Sequence, residues 1–188
     1  EWLQILIVAL VTIILVFTFV GRITPVVGES MLPTLHEGDV MLIRDIGYTD
    51  PQPGDIVVLT KEFDAARGPI VKRIIAVEGQ TVDIDYQTGT VYVDGEALDE
   101  PYLNEPMEEP WYEDLTSVTV PEGSVFVMGD NRASSADSRY HQDDGDHGLV
   151  PIDNVVGVGL MRYWPLNRMS FLSSHHDVFK DVPAGKAQ

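Results

Sequence analysis

Two residues in this chain have the types and surroundings of a nucleophile and its base. Ser30 lies between Gly28 and Pro33, whose backbone preferences suit a serine held in a loop. Lys72 lies in the apolar run Ile70–Val77, which predicts a strand with Ile70, Lys72, Ile74 and Ala76 on one face. Burial on an apolar face lowers the lysine pKa, so the neutral amine could accept a proton from a serine hydroxyl.

A third segment, residues 129–139, could support such a pair. It contains two Asp, two Arg, one Asn and three Ser. Its composition fits a solvated loop, or a buried network in which Asp and Arg satisfy each other and Ser135 orients the lysine amine. Ser30 and Lys72 also have ordinary interpretations, as a turn serine and as a lysine whose amine reaches water. Taken singly, these structural interpretations are favoured.

Metal and thiol chemistry find little support. The stretch His141–His147 holds two His and three Asp, but its spacing fits neither a zinc pattern nor an EF-hand loop, so we predict a solvated loop. The chain has no cysteine, which excludes a disulfide framework, a thiolate nucleophile and a Cys-based zinc site. We expect no metal and no cofactor.

The charge balance limits the class of partner. Lys and Arg total 12 against 30 Asp and Glu, giving a net charge of −18. Nucleic-acid binding requires basic side chains that contact phosphates, so we expect no nucleic-acid partner. The acidity also argues against a domain attracted to an anionic membrane surface by charge, and its simplest effect is solubility.

The apolar start of the chain predicts a membrane anchor. Trp2 to Val20 contains no charged residue, and such a run is long enough to cross a bilayer. The residues that follow are not a small-x-small cleavage site, so we expect an anchor over residues 1–22 rather than a cleavable signal. A buried core helix is the alternative. Residue 1 is Glu rather than Met, so we expect further residues upstream.

The rest of the chain predicts an all-β fold of short antiparallel strands, partly barrel-like, with a β-rich insertion. Predicted strands are 40–43, 56–60, 70–77, 81–85, 90–94, 117–120, 124–128 and 155–163. We expect a catalytic core over 23–79 and 122–166, an inserted subdomain over 80–121, and a polar, poorly ordered tail over 167–188. Gly157 and Gly159 indicate close packing or a bulge in the last strand.

Together the segments resemble bacterial type I signal peptidases, of the Gram-positive branch. The run Gly28–Leu35 resembles that family's nucleophile box, and Val71–Ile74 with Glu78-Gly79 resembles its lysine box. Residues 129–139 resemble its third box, and Gly148–Pro151 and Arg162–Leu166 resemble its closing segments. Three boxes in order after an apolar helix make this resemblance specific, and it reverses the structural interpretations given above.

The resemblance implies a role for each matching residue. Ser30 would attack the scissile carbonyl, and neutral Lys72 would take its proton. Ser135 would orient the lysine, Asp137 and Arg139 would form a supporting ion pair, and Asp130 and Arg132 would belong to the same support. The backbone N–H of Ser30 would donate to the oxyanion. Gly28 stands where the Gram-negative branch has a serine side-chain donor.

The implied substrate is a preprotein signal peptide with an Ala-x-Ala-like site. A shallow apolar pocket would select small side chains, and its candidate wall residues are Val26, Val27, Met31, Leu35, Ile70 and Val71. Other implied partners are the lipid bilayer, through residues 2–20, and the translocation machinery, with the catalytic domain outside the cytoplasm at the cell membrane. The alternatives are a related Ser–Lys processing protease with a dedicated substrate, or a catalytically silent, membrane-tethered assembly protein.

Overall fold

The structure, a computed structural model, describes residues 1–19, 21–45, 47–61, 63, 69–107, 115–139 and 148–183, with only the backbone for 13–19. Among these residues, one α-helix precedes twelve strands. The elements are α1 (Trp2–Phe19), β1 (Arg22–Pro25), β2 (Val40–Arg44), β3 (Ile56–Leu59), β4 (Ile70–Val77), β5 (Thr81–Asp85), β6 (Thr90–Val93), β7 (Glu96–Ala97), β8 (Ser117–Thr119), β9 (Ser124–Met128), β10 (Val150–Pro151), β11 (Val155–Trp164) and β12 (Ser170–Phe171).

The predicted N-terminal helix is present as α1. Its large apolar side chains among the described residues are exposed, from 48% at Val11 to 77% at Trp2. In the part of the chain that the structure describes, no helix meets the length and apolarity required of a membrane span.

The larger sheet has eight strands in the order β1-β2-β11-β3-β4-β9-β10, with β12 paired to β11, and it curls into half a barrel. The described strand pairs of this sheet are antiparallel, and the described residues form mostly β structure, as predicted. β4 lies between β3 and β9, which places Lys72 inside the sheet rather than at an edge.

A second sheet, in the order β7-β6-β5-β8, is formed by the residues that separate β4 from β9 in the chain. Alternation of apolar and polar residues in β5 and β6 buries one face of this sheet, as in Val82, Ile84, Val91 and Val93. These residues share a core cluster with Phe126 of β9. The bounds 23–79, 80–121 and 122–166 stay predictions.

Two glycines allow β11 to cross its neighbours closely, as predicted. The register of β11 shifts between Val155 and Gly157 and again between Gly159 and Met161. A Cβ at Gly157 would lie 2.5 Å from the Arg44 carbonyl oxygen, and one at Gly159 would lie 2.9 Å from the Leu172 side chain. Gly157 therefore excludes a side chain, whereas at Gly159 the end of the Leu172 side chain would have to shift.

Two predictions differ from the structure. Ala76 does not share a face with Ile70 and Ile74, because a register shift between Ile74 and Ala76 restarts the alternation and moves Ala76 into another core cluster. The described part of the predicted polar tail is also ordered against the core. β12 pairs with β11, and Phe179 is buried at 7% exposure, because this segment carries apolar residues that cover the core.

Candidate active site

Ser30 lies in a loop that is closed at its base and anchored by apolar side chains. Val26 N–H donates to the Asp39 carbonyl at 2.8 Å, and Gly38 N–H donates to the Val26 carbonyl at 3.0 Å. Met31 and Leu35, at 1% and 0% exposure, pack into the core cluster below. Residues 30–34 form a turn that begins at Ser30.

Lys72 projects from β4, at the position opposite Val57 of β3. The residue is only 3% exposed. Burial lowers the pKa of Lys72 to about 8, partly opposed by the nearby Asp137 and Asp130 charges and assisted by Arg139. About a tenth of the amine is therefore neutral at pH 7, far more than for an exposed lysine, and this neutral form is what a general base requires.

The Lys72 amine and the Ser30 hydroxyl are in direct contact. Lys72 Nζ lies 2.7 Å from Ser30 Oγ, a hydrogen-bond distance. This is the geometry in which a neutral amine removes the hydroxyl proton as the oxygen attacks an electrophile. The two residues that the sequence analysis selected are thus brought together by the fold.

The segment after β9 is a buried network rather than a solvated loop. Arg139 donates to both oxygens of Asp137, at 2.8 and 2.9 Å. Burial alone would raise the pKa of Asp137, but Arg139 and the Gly129 N–H outweigh burial and hold that pKa below its usual value. Asp137 thus stays ionised close to Lys72.

Gly129 is the point where this network meets the loop that contains Ser30. A Cβ on Gly129 would lie 2.4 Å from the Ser30 carbonyl oxygen and 2.3 Å from Ser135 Oγ. Asn131 N–H donates to the Ser30 carbonyl at 3.0 Å. The backbone at 129–131 therefore contacts the Ser30 carbonyl group and holds the Ser30 backbone in place.

Ser135 occupies the expected region but not the expected hydrogen bond. Its hydroxyl oxygen is buried and has no hydrogen-bond partner among the described residues. Its contact with Gly129 places it beside the Ser30 backbone. The orienting hydrogen bond from Ser135 to Lys72 is thus not part of this structure.

Asp130 pairs with the buried guanidinium of Arg73, a residue to which the sequence analysis gave no role. Arg73 donates to both carboxylate oxygens at 2.8 Å, and Thr34 also donates to Asp130. Arg73 is fully buried, and its guanidinium lies 4.0 Å from the centre of the Tyr102 ring. Arg73 directly follows Lys72 in β4, and alternation was the available signal that it faces the other side.

Arg132 is held by Glu100, which the sequence analysis also missed. Both Glu100 oxygens accept from the Arg132 guanidinium, one of them at 2.8 Å. Glu100 lies in an acidic, irregular segment, and no sequence signal distinguished it from its exposed acidic neighbours.

The six candidate pocket residues fall into two groups. Val26, Met31, Leu35 and Val71 belong to one buried core cluster beneath the loop that contains Ser30. Val27 is 78% exposed, and Ile70 packs partly buried against a different cluster. The contribution of each to a substrate pocket stays a prediction.

No group of three or more metal-ligating side chains is found among the described residues. The predicted His141–His147 loop lies outside those residues. The described arrangement can activate a hydroxyl with an amine base, which is the chemistry of acyl transfer.

Comparison with a family model gives one match. The model for "Signal peptidase, peptidase S26" matches residues 1–164.

Several curated proteins are similar over most of the chain. A probable signal peptidase I-1 of Synechocystis sp. is 39% identical, with 98% of this chain and 90% of that protein covered. Signal peptidase I T of Bacillus subtilis is 33% identical, with 90% and 87% covered. A crystal structure of a signal peptidase I from Enterococcus faecalis matches with 34% identity and a TM-score of 0.45, covering 58% of this chain and 97% of that one.

Proposed function

The chain belongs to the peptidase S26 family of signal peptidases, and from that premise we propose that Ser30 and Lys72 are its catalytic residues. It is an endopeptidase of the signal peptidase I type, and its activity is the removal of signal peptides from preproteins. The observation that carries the residue assignment is the 2.7 Å contact between Lys72 Nζ and Ser30 Oγ.

The proposed reaction has two halves. Ser30 Oγ attacks the scissile carbonyl carbon while neutral Lys72 takes the hydroxyl proton. The tetrahedral intermediate collapses to an acyl-enzyme, and Lys72 gives the proton to the departing amine of the mature protein. A water molecule then attacks the ester, with Lys72 as its base, and releases the signal peptide and the free Ser30 hydroxyl.

The oxyanion of each intermediate needs donors that are already in place. We propose the Ser30 N–H, because no hydrogen bond from it is recorded among the described residues. Gly28 has φ +82°, and a Cβ there would meet nothing within 4 Å. A side-chain donor from position 28 is accordingly not part of the proposal.

Three supporting roles are proposed for the buried polar residues. Asp137 and Arg139 keep a fixed charge pair near the Lys72 amine. Asp130 and Arg132 hold the loop that contacts Ser30. Ser135 orients Lys72 during the reaction; the support for this role is that its buried hydroxyl lacks another partner and lies beside Gly129.

Substrate choice and location complete the proposal. An apolar wall formed by Val26, Val27, Met31, Leu35, Ile70 and Val71 would leave room for small side chains, which favours an Ala-x-Ala-like site. The exposed apolar side chains of α1 are suited to lipid, so we propose that residues 2–20 anchor the chain in the cell membrane. The catalytic domain would then face the extracytoplasmic side, where preproteins emerge from the translocation machinery.

The test uses the full chain in detergent micelles with a preprotein that carries an Ala-x-Ala site. Mass spectrometry of the products should show one cut after the second alanine. Ser30→Ala and Lys72→Ala should each reduce turnover by about 10³-fold or more. The exposed residues Ser134 and Lys180 provide matched controls, Ser134→Ala and Lys180→Ala, which should cleave normally. Normal cleavage by either active-site variant would reject the assignment.

A further inference from the structure

Glu100 is an acidic side chain of the second sheet's connecting segment, between β7 and β8, yet it is almost completely buried. Its side chain is 5% exposed, and that of its partner Arg132 is 1% exposed. Arg132 Nη1 donates to Oε2 at 2.8 Å and Nη2 donates to Oε1, while the Tyr102 hydroxyl also donates to Oε1 at 2.6 Å. The carboxylate is therefore fully engaged in a planar, two-point pair.

The third donor of the same guanidinium reaches the backbone that supports the nucleophile. Arg132 Nε donates to the Gly129 carbonyl at 3.1 Å. The Gly129 N–H donates to Asp137 Oδ2 at 2.9 Å, and a Cβ at Gly129 would lie 2.4 Å from the Ser30 carbonyl oxygen, so the two backbones are in close approach. A continuous set of contacts thus runs from Glu100 through Arg132 and Gly129 to Ser30.

From this continuity we propose that Glu100 is a positioning residue for the Ser30–Lys72 pair, acting through Arg132 and Gly129. The inference rests on the proposed catalytic roles of Ser30 and Lys72. The segment between β7 and β8 would then contribute to catalysis. The Glu100 carboxylate fixes the orientation of the Arg132 guanidinium, and the guanidinium fixes the Gly129 peptide.

The geometry explains why loss of the Glu100 carboxylate should lower the rate of the reaction. A guanidinium with two donors on one carboxylate and the third on a carbonyl has no rotational freedom. If the carboxylate is removed, Arg132 must turn to find other acceptors, and the Gly129 carbonyl loses its donor. Misplacement of reacting groups by about 1 Å can cost about 10²-fold in rate.

The negative charge of Glu100 gives the proposal a second, independent test, through the pKa of Lys72. The ionic groups that act on Lys72 are Asp137, Arg139 and Asp130, and its amine also contacts the Ser30 hydroxyl. Arg132 is electrostatically coupled to Asp137, and Glu100 now neutralises it. Without Glu100, an uncompensated positive charge next to this cluster would disfavour the ammonium form of Lys72.

The experiment measures kcat, KM and the pH dependence of kcat for Glu100→Gln, with a peptide that spans an Ala-x-Ala site. We expect kcat to fall about 10- to 100-fold with KM within twofold, and the midpoint of the acid limb to move to lower pH. The matched control is Asp99→Asn, which makes the same charge change at the adjacent, exposed position and should behave as wild type.

Two further variants keep the test decisive if Glu100→Gln folds poorly. Glu100→Asp retains the charge and should keep more of kcat than Glu100→Gln. The double variant Glu100→Gln with Arg132→Gln leaves no uncompensated charge, so its acid limb should return to the wild-type midpoint while kcat stays low.

A folded Glu100→Gln with kcat within twofold of wild type would overturn the proposal. So would a low kcat with an unchanged acid limb, because that pattern marks a purely structural role. Wild type and Ser30→Ala are measured in parallel. If wild type cleaves and Ser30→Ala does not, the proposed function stands whatever Glu100 does.

Discussion

Lys72 Nζ lies 2.7 Å from Ser30 Oγ, although 42 positions separate the two residues in the chain. The amine reaches the hydroxyl because β4 is a central strand and the loop that contains Ser30 is anchored beneath by Met31 and Leu35. The same burial that positions the amine also removes water from it, so contact and a lowered pKa have one cause.

The pH dependence of cleavage should report Lys72. The reactive form is the neutral amine, and burial lowers the Lys72 pKa to about 8. Below that pH the fraction of neutral amine falls tenfold per unit, so kcat/KM should rise with pH and level off above about 8. Single-turnover cleavage of an Ala-x-Ala peptide across pH 5 to 10 measures this. A flat profile would contradict a lysine base.

Replacing Lys72 by methionine should stabilise the fold at neutral pH. A folded-state pKa of about 8, against 10.5 for an exposed lysine, means that the charged, buried lysine costs about 3 kcal/mol at low pH. The unfolded chain binds more protons between these two values, so wild-type stability should rise with pH there relative to Lys72→Met. Urea unfolding of both proteins at pH 7 and pH 10 tests this, and a constant difference would contradict it.

Gly129→Ala should damage catalysis more than stability alone explains. The added Cβ would lie 2.4 Å from the Ser30 carbonyl oxygen, so the loop that contains Ser30 must move. We expect a loss of about 1–3 kcal/mol in unfolding free energy and a fall in kcat of about 10²-fold. Gly95→Ala is the control, since its φ of +85° causes strain while its Cβ meets nothing within 4 Å. It should lose stability without losing kcat.

Arg73→Met should be among the most destabilising substitutions. It leaves Asp130, at 1% side-chain exposure, without its two guanidinium donors. Breaking a buried pair from one side costs about 3–5 kcal/mol. The double variant Arg73→Met with Asp130→Leu should recover part of that loss, because no unpaired charge remains. Chemical denaturation of the three proteins measures both effects, and equal stability of single and double variants would contradict the argument.

The sequence by itself predicted eight of the twelve strands and the chemistry of the pair. Alternation and turn residues predicted β4 at Ile70–Val77 and β5 at Thr81–Asp85 with the bounds that the structure has, because side-chain period is a local property. The residues around Ser30 and Lys72, together with residues 129–139, select the two as a nucleophile and base through their joint resemblance to a known family.

Only the tertiary structure decided which charges support that pair. Glu100 and Thr34 gave no local signal, and alternation indicated only the face of Arg73 and not its partner, since the partner of a buried charge is chosen by the fold and not by sequence spacing. The sequence likewise did not show that the C-terminal segment packs against the core, because burial of Phe179 depends on a core surface built from distant strands. Ser30 and Lys72 are thus selected by the motifs in which they lie, but the 2.7 Å contact and the lowered pKa arise from packing.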